Sequence, residues 1–176
     1  NVKKIGDNVF QGNPKITKAV IGKNIVSIGA YAFEGCAQLT EVAFEAGITE
    51  MTIGAGAFAK CTGLTTIDLP QCTTVIDAHA FENAGLTSFT IPESTISLGY
   101  KSLAGTQITS IHIPANVGAL TVECVIRRDD TGTEQIVPMV PVETKGAYVV
   151  FRGQFSLADR GLYFYYFRVT KPDSSS

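Results

Sequence analysis

Cysteine and histidine are the residue types in this 176-residue chain best suited to metal binding or nucleophilic catalysis. The chain contains four cysteines and two histidines. No two cysteines have Cys-x-x-Cys spacing, and the histidines are too few to complete a zinc site. His79 and His112 have no nucleophile placed beside them, and Asp129-Asp130 falls in a turn rather than on two sides of a bond. The sequence therefore predicts no catalytic site, no metal site and no cofactor.

Composition limits the class of protein further. The hydrophobic fraction of 45% and the charged fraction of 17% are typical of a chain with a packed core. A net charge of -2 provides no broad basic field, so we expect no nucleic-acid partner. No apolar run is long enough for a membrane span, so we expect no membrane insertion by this chain. Because Asn1 lies within a repeat and no initiator Met is present, we interpret the chain as a mature protein or as part of a longer one.

An internal repeat organises the first two thirds of the chain. An aromatic or large apolar marker recurs every 22 to 25 residues and defines five units, here called coils 1 to 5: Phe10, Phe33, Phe58, Phe81 and Leu103. A short alternating pattern, typical of a β-strand, follows in each coil at 19–21, 42–44, 67–69, 89–91 and 111–113. One such unit cannot bury its own apolar face, so the repeat predicts a stacked solenoid with a continuous core.

Three local features follow from the repeat. Cys36 and Cys61 hold the same repeat position, which predicts a stacked pair of buried thiols. Residues 30–33 are expected to form one helical or 3₁₀ turn, because the segment is too short for a longer helix. A glycine that precedes this turn is expected where the chain reverses tightly: Gly6, Gly29, Gly54 and Gly99.

The two strongest copies are residues 28–42 (IGAYAFEGCAQLTEV) and 53–67 (IGAGAFAKCTGLTTI). Their motif, I-G-x-x-A-F-x-x-C-x-x-L-T-x-[VI]-x-[FL], resembles the BspA-like type of leucine-rich repeat, which is common on bacterial surface proteins. The resemblance covers about residues 1–117. It implies a non-enzymatic protein of the bacterial surface or extracellular space, used for binding or adhesion to a protein or host-matrix ligand.

The outward positions of the predicted strands are the candidates for a ligand-binding face. Neighbouring coils place equivalent side chains in ladders, and such a ladder lines the binding face of leucine-rich repeat proteins. The alternative is that small polar residues are simply suited to solvent-facing strands. The candidate positions are Glu41, Thr66, Asp68, Ser88, Thr90, Ser110 and His112.

The repeat stops after coil 5, and four strand-like runs follow. They are expected at 120–126, 135–142, 148–155 and 162–169, as an antiparallel meander in which Pro138 and Pro141 place the second run at an edge or a bulge. The last run is apolar on both faces, which favours a central strand buried on two sides. The alternative is that Tyr163 and Tyr165 are exposed and stack on a carbohydrate.

Residues 122–129 (VECVIRRD) and 161–167 (GLYFYYF) are similar to strands of the N-terminal β-sandwich module of some α-amylase-family glycoside hydrolases. This likeness implies an accessory carbohydrate-binding region as an alternative function. The expected fold is mainly β: a leucine-rich repeat solenoid of short strands and helical or 3₁₀ turns at 1–117, and a small antiparallel β module at 118–170. That module is either an incomplete sandwich or a cap for the solenoid, and residues 171–176 are expected to be a disordered tail.

Overall fold

The computed structural model describes residues 2–114, 121–128, 134–145, 148–152 and 163–170. For Ser110 and from residue 113 onward, only the backbone is described. Thirteen strands, and no helix, occur in these ranges. Within the repeats the strands are β1 Lys4–Ile5, β2 Lys18–Ile21, β3 Ser27–Ile28, β4 Glu41–Phe44, β5 Met51–Ile53, β6 Thr73–Ile76, β7 Ser88–Thr90, β8 Ser97–Leu98 and β9 Ser110–Pro114. The last four are β10 Thr121–Arg128, β11 Glu134–Lys145, β12 Tyr148–Arg152 and β13 Tyr163–Thr170.

One continuous parallel sheet runs along the solenoid in the order β1-β3-β5-β6-β8, with one strand from each coil. Equivalent residues pair, as in Ile28 with Ile53 and Ile76 with Leu98. The repeat pattern did not predict this sheet, because its strands are two to four residues long and lie where a tight turn was expected.

The predicted strands on the other side form only in part. β2 pairs with β4, and β7 pairs with β9, both in parallel. The equivalent segment of coil 3, residues 66–69, is not a strand. Its inward side chains are nevertheless buried, since Ile67 and Leu69 are each 6% exposed. The alternation of inward and outward residues is therefore kept in coil 3 although the strand pairing is lost.

The turn segment that carries each phenylalanine is not helical, which corrects the predicted helical or 3₁₀ turn. Its backbone alternates between two kinds of hydrogen bond. In coil 2, three N–H groups donate to carbonyls of coil 3 at 2.8 Å: Tyr31 to Ala55, Phe33 to Ala57 and Gly35 to Ala59. The intervening N–H groups donate three residues back within the coil: Ala32 to Gly29, Glu34 to Tyr31 and Cys36 to Phe33. A helix would keep all of these bonds within its own coil.

The core lies between the sheets and the turn segments, and stacked aromatic rings run through it. The ring centroids of Phe10, Phe33, Phe58 and Phe81 are 5.0, 5.3 and 5.5 Å apart in succession. Beyond Phe81 the stack ends on Phe89, whose ring is tilted by 56°. The expected stacking is therefore confirmed for the four phenylalanine markers, and each stacked pair contributes roughly 0.5–1.5 kcal/mol beyond its buried area.

The stacked thiols are also confirmed. Cys36 and Cys61 are fully buried. Each Sγ donates to the phenylalanine carbonyl of the preceding coil at 3.1 Å, Cys36 to Phe10 and Cys61 to Phe33. Burial raises the pKa of the Cys36 thiol, and it raises the pKa of the Cys61 thiol to about 12. Both sulfurs therefore act as structural hydrogen-bond donors rather than as nucleophiles.

Close approach between coils, not a left-handed turn, explains Gly29, Gly54 and Gly99, whereas a Cβ on Gly6 would meet only Val9 of its own coil. Gly54 has no positive φ. A Cβ built on it would lie 2.9 Å from backbone atoms of Ile28, Gly29 and Ala30 in the preceding coil. The left-handed positions are elsewhere, at the two ends of each turn segment, and several carry a side chain, such as Tyr31 and His79.

The last four strands form an antiparallel arrangement that differs from the predicted meander. β10, β11 and β12 follow one another, but β13 pairs with β10 at the edge of the sheet rather than taking the predicted central place. β11 carries a register shift between Pro141 and Glu143, so the expected bulge is present. β12 pairs with β9, which joins this sheet to the last coil. The predicted turn at Asp129-Asp130 and the predicted tail at 171–176 lie outside the described residues.

We expect Gly54→Ala to lower the free energy of unfolding by about 1–3 kcal/mol, the cost of forcing extra volume into a packed site. Gly22→Ala is the matched control, because its added Cβ would meet only Glu45 Oε2, at 3.8 Å. Urea denaturation followed by far-UV circular dichroism measures both variants. Equal stability of the two variants would contradict the close-approach explanation.

Stability should fall as the pH rises above 9, because the unfolded Cys61 thiol ionises near its ordinary pKa of 9.0 whereas the folded thiol stays protonated to about pH 12. From pH 8 to pH 10 this one group should remove on the order of 1 kcal/mol. Urea denaturation of Cys61→Ala should show a correspondingly weaker pH dependence. Leu64→Ala, a core truncation without a titrating group, should keep the original dependence. Parallel pH curves for all three proteins would contradict the assignment.

Candidate functional site

The candidate site is the ladder face, defined here as the outward side chains of β2, β4, residues 66–69, β7 and β9. Strand alternation positions them, because inward neighbours such as Val42 and Phe89 are held in the core. Glu41, Thr66 and Asp68 are exposed, whereas Ser88, Thr90 and His112 are half-buried. The Ser110 side chain lies outside the described residues.

Polar contacts link neighbouring coils along this face. Lys18 and Glu41 occupy the same position in coils 1 and 2, and their charged groups are 2.7 Å apart. Both side chains are about half exposed, so the pair contributes little to stability. A column of threonines, Thr17, Thr40, Thr65 and Thr87, borders the ladder. Thr40 Oγ1 donates to the Thr17 carbonyl at 3.1 Å, and Thr87 Oγ1 donates to the Thr65 carbonyl at 3.4 Å. The threonine column was missed from the sequence, although its constant place in the repeat was a usable signal.

A cleft of about 360 Å³ opens between coil 2 and coil 3 on the ladder face. Three of the seven candidate residues, Glu41, Thr66 and Asp68, line it. The rest of the lining is Thr40, Val42, Ala43, Phe44 and Ile67. The structure thus brings these three candidates together around one space that the sequence did not predict.

The other four candidates lie on the paired strands β7 and β9. Ser88 is in register with Ser110, and Thr90 with His112. They form a regular ladder, and none of them lines the cleft. The ladder face therefore has two parts: a cleft at coils 2 and 3, and a closed two-strand surface at coils 4 and 5.

A charged cluster on the turn segments was not predicted. Glu34 accepts hydrogen bonds from Lys60 at 2.8 Å and from Gln11 at 2.6 Å. The Lys60 hydrogen bond is the main cause that lowers the pKa of Glu34, and the same contact raises the pKa of Lys60. These side chains occupy nearly equivalent places in coils 1, 2 and 3, so the cluster joins successive coils.

His79 lies on the same turn side and serves a local structural role. Its Nδ1 is 2.9 Å from Glu82 Oε2, and its ring meets the Tyr100 ring edge-on at 5.6 Å. His79 and His112 are on different sides of the coil. The structure therefore does not bring the two histidines together.

A second cavity, of about 490 Å³, lies at coil 1 and is mainly apolar. Its lining includes Ile5, Phe10, Ile16, Ile21 and Ile25. These are core-facing residues of the repeat, and in later coils the preceding coil covers their equivalents. The cavity is therefore an exposed part of the apolar core at coil 1 rather than a shaped polar site.

The described residues contain no group of three or more His, Cys, Asp and Glu side chains able to hold a metal ion. They also contain no helix with the length and apolar character that a bilayer crossing requires. Tyr163 and Tyr165 lie on β13 in register with Arg128 and Ile126. Their side chains lie outside the described residues, so carbohydrate stacking by them stays a prediction.

Comparison with known proteins agrees with this architecture. A model of the BspA type leucine rich repeat region matches residues 3–126 in six copies. The fold is similar to a leucine rich repeat protein of T. pallidum, with a TM-score of 0.57 and 25% identity over 62% of this chain and 51% of that one. It is also similar to a leucine-rich repeat protein from Bacteroides ovatus, with a TM-score of 0.56 and 27% identity over 63% of this chain and 29% of that one. No curated protein matches the chain significantly.

The chain spans about half of the T. pallidum protein and less than a third of the Bacteroides ovatus protein. Nothing in these comparisons supports the likeness of the last strands to a glycoside hydrolase module. The family match covers most of the chain, and the described coils have the stacked parallel strands that its repeat predicts. The chain therefore belongs to the BspA-type leucine-rich repeat family.

Proposed function

We propose that this chain is a non-enzymatic binding or adhesion protein of the bacterial surface or extracellular space, and that its ladder face contacts a protein or host-matrix ligand. The proposal rests on the different roles of inward and outward residues within each coil. Inward residues supply a continuous core, whereas outward residues of the same strands have no part in that core. Their identities are free to serve recognition.

The physical character of the ladder face supports a broad protein contact. Thr66, Ser88 and Thr90 are short, so a partner surface can approach the backbone closely. Glu41 and Asp68 add negatively charged side chains at coils 2 and 3. A repeat scaffold presents such positions at constant spacing, which suits an extended partner better than a small ligand.

The lack of an enzymatic role is part of the proposal. The family is a repeat scaffold, and no catalytic domain is identified in the chain. The surface or extracellular location follows from the resemblance of the repeat to those of bacterial surface proteins. Labelling of intact cells with an antibody to the chain tests it, and signal only after lysis would contradict it.

The binding prediction uses the purified chain against a panel of immobilised matrix proteins: fibronectin, laminin and collagen. We expect the triple variant Thr66→Lys, Ser88→Lys, Thr90→Lys to lower affinity at least tenfold, because three long cationic side chains hold the partner away from the face. Surface plasmon resonance measures the change. Circular dichroism confirms that the fold is kept.

The control replaces exposed residues outside the ladder face with the same side chain: Ala37→Lys, Thr62→Lys and Ser94→Lys. It adds the same charge, so a general electrostatic effect would lower affinity equally in both triple variants. Equal losses, or no binding to any panel member, would overturn the proposed function.

A further inference from the structure

The ladder side of the solenoid is interrupted at coil 3. On the opposite side, β5 and β6 keep the parallel sheet continuous through this coil. On the ladder side, residues 66–69 make no hydrogen bond to any other residue within the described part of the chain. The backbone of an extended segment carries strong donors and acceptors, and leaving them without a protein partner is uncommon.

The adjoining edge of β4 is open as well. The N–H groups of Glu41 and Glu45 donate to the Thr17 and Ile21 carbonyls of coil 1. Because backbone groups alternate along a strand, those of Val42 and Phe44 point to the other edge, towards coil 3. No hydrogen bond joins β4 to residues 66–69. The junction therefore offers unpaired backbone on both of its sides.

Two departures from the regular repeat adjoin this opening. Ile53 follows Phe44 by nine residues, whereas the equivalent Ile28 follows Ile21 by seven, and the longer connection includes Gly47 at a φ of 93°. On the other side of coil 3, the pairing of β5 with β6 shifts register between Met51 and Thr52. The opening thus coincides with a lengthened connection into coil 3.

The cleft at this junction has room for extended backbone and carries negative charge. Its volume of about 360 Å³ lies within the range of small binding pockets. Two carboxylates line it, those of Glu41 and Asp68, and no lysine or arginine does. Glu41 is paired with Lys18, but Asp68 is exposed and forms no ion pair with any residue that the structure describes. The cleft therefore matches an occupant with a cationic side chain.

We propose that this cleft binds an extended peptide segment of a partner protein, which adds as a strand to the open edge of β4 and places a Lys or Arg side chain against Asp68. Main-chain hydrogen bonds supply affinity in this mode of recognition, and side-chain contacts supply specificity. The inference rests on the proposed function, because it assigns a partner class to the ladder face. It concerns coils 2 and 3 only.

The test uses the peptide Ac-Thr-Lys-Val-Lys-Val-Lys-Thr-NH2 as probe, with amide NMR of the ¹⁵N-labelled chain as readout. Binding should shift the amide signals of Val42, Phe44 and residues 66–68, and leave those of β7 in place. Two matched peptides carry N-methyl groups at alternate positions. At least one of them should lose binding, because methylation removes the donors that would meet the β4 carbonyls.

The charge contribution is tested with Asp68→Asn, which should weaken binding about two- to five-fold, the range for an exposed ion pair. Glu50→Gln is the control, since Glu50 is exposed and does not line the cleft. It should leave affinity unchanged. A peptide with Glu in place of Lys should bind more weakly than the probe.

No shift at the cleft, undiminished binding of both N-methylated peptides, or equal effects of the two variants would each overturn the inference. Its failure is separable from that of the proposed function. If the chain binds a matrix protein through the ladder face but does not bind the peptide, the proposed function is supported and the peptide site is contradicted. If the chain binds the peptide but no panel member, the peptide site is supported and the proposed binding to matrix proteins is contradicted.

Discussion

The hydrogen bonds between the turn segments of successive coils set the spacing on which the rest of the solenoid depends. Three such bonds cross each of the four junctions between coils 1 and 5, with N···O distances of 2.7–2.9 Å. They require left-handed residues at both ends of each turn segment, and non-glycine residues there, such as Tyr31 and His79, cost on the order of 1 kcal/mol each. The cost is offset because the alternative is a helical turn whose end groups would lack partners.

This spacing explains the choice of buried residues. Coils held at one repeat distance bring equivalent phenylalanines to centroid separations of 5.0–5.5 Å, which is a favourable distance for offset rings. The same distance places the Cys61 sulfur against the Phe33 carbonyl and leaves no room for a side chain at Gly54. The distance between successive coils therefore accounts for the phenylalanine, cysteine and glycine positions of the repeat.

Periodicity in the sequence predicts what depends on side-chain volume and burial. The five coils, the phenylalanine stack, the paired thiols and the inward or outward sense of residues 41–44 all follow from it. Backbone conformation is harder to predict, because the left-handed positions are held by residues as different as Tyr31, Lys60 and Asn83. The strands of the continuous sheet are too short to show a period of two. For the site, the outward positions are predictable, but the cleft is not, because it depends on pairing that is lost between two coils.

The ladder side of the solenoid can lose hydrogen bonds between coils, whereas the turn segments keep theirs. At the junction of coils 2 and 3, the turn side keeps all three of its hydrogen bonds, and the opposite sheet keeps the regular pairing of β3 with β5. The ladder side gives up its pairing there, yet Ile67 and Leu69 stay buried. Stacking is thus secured by the turns and the core, so strand pairing on the ladder side is not needed to hold the coils together. Because the ladder side is not needed to hold the coils together, its backbone N–H and C=O groups can remain without partners in the coil. An added strand pairs with such unpaired groups.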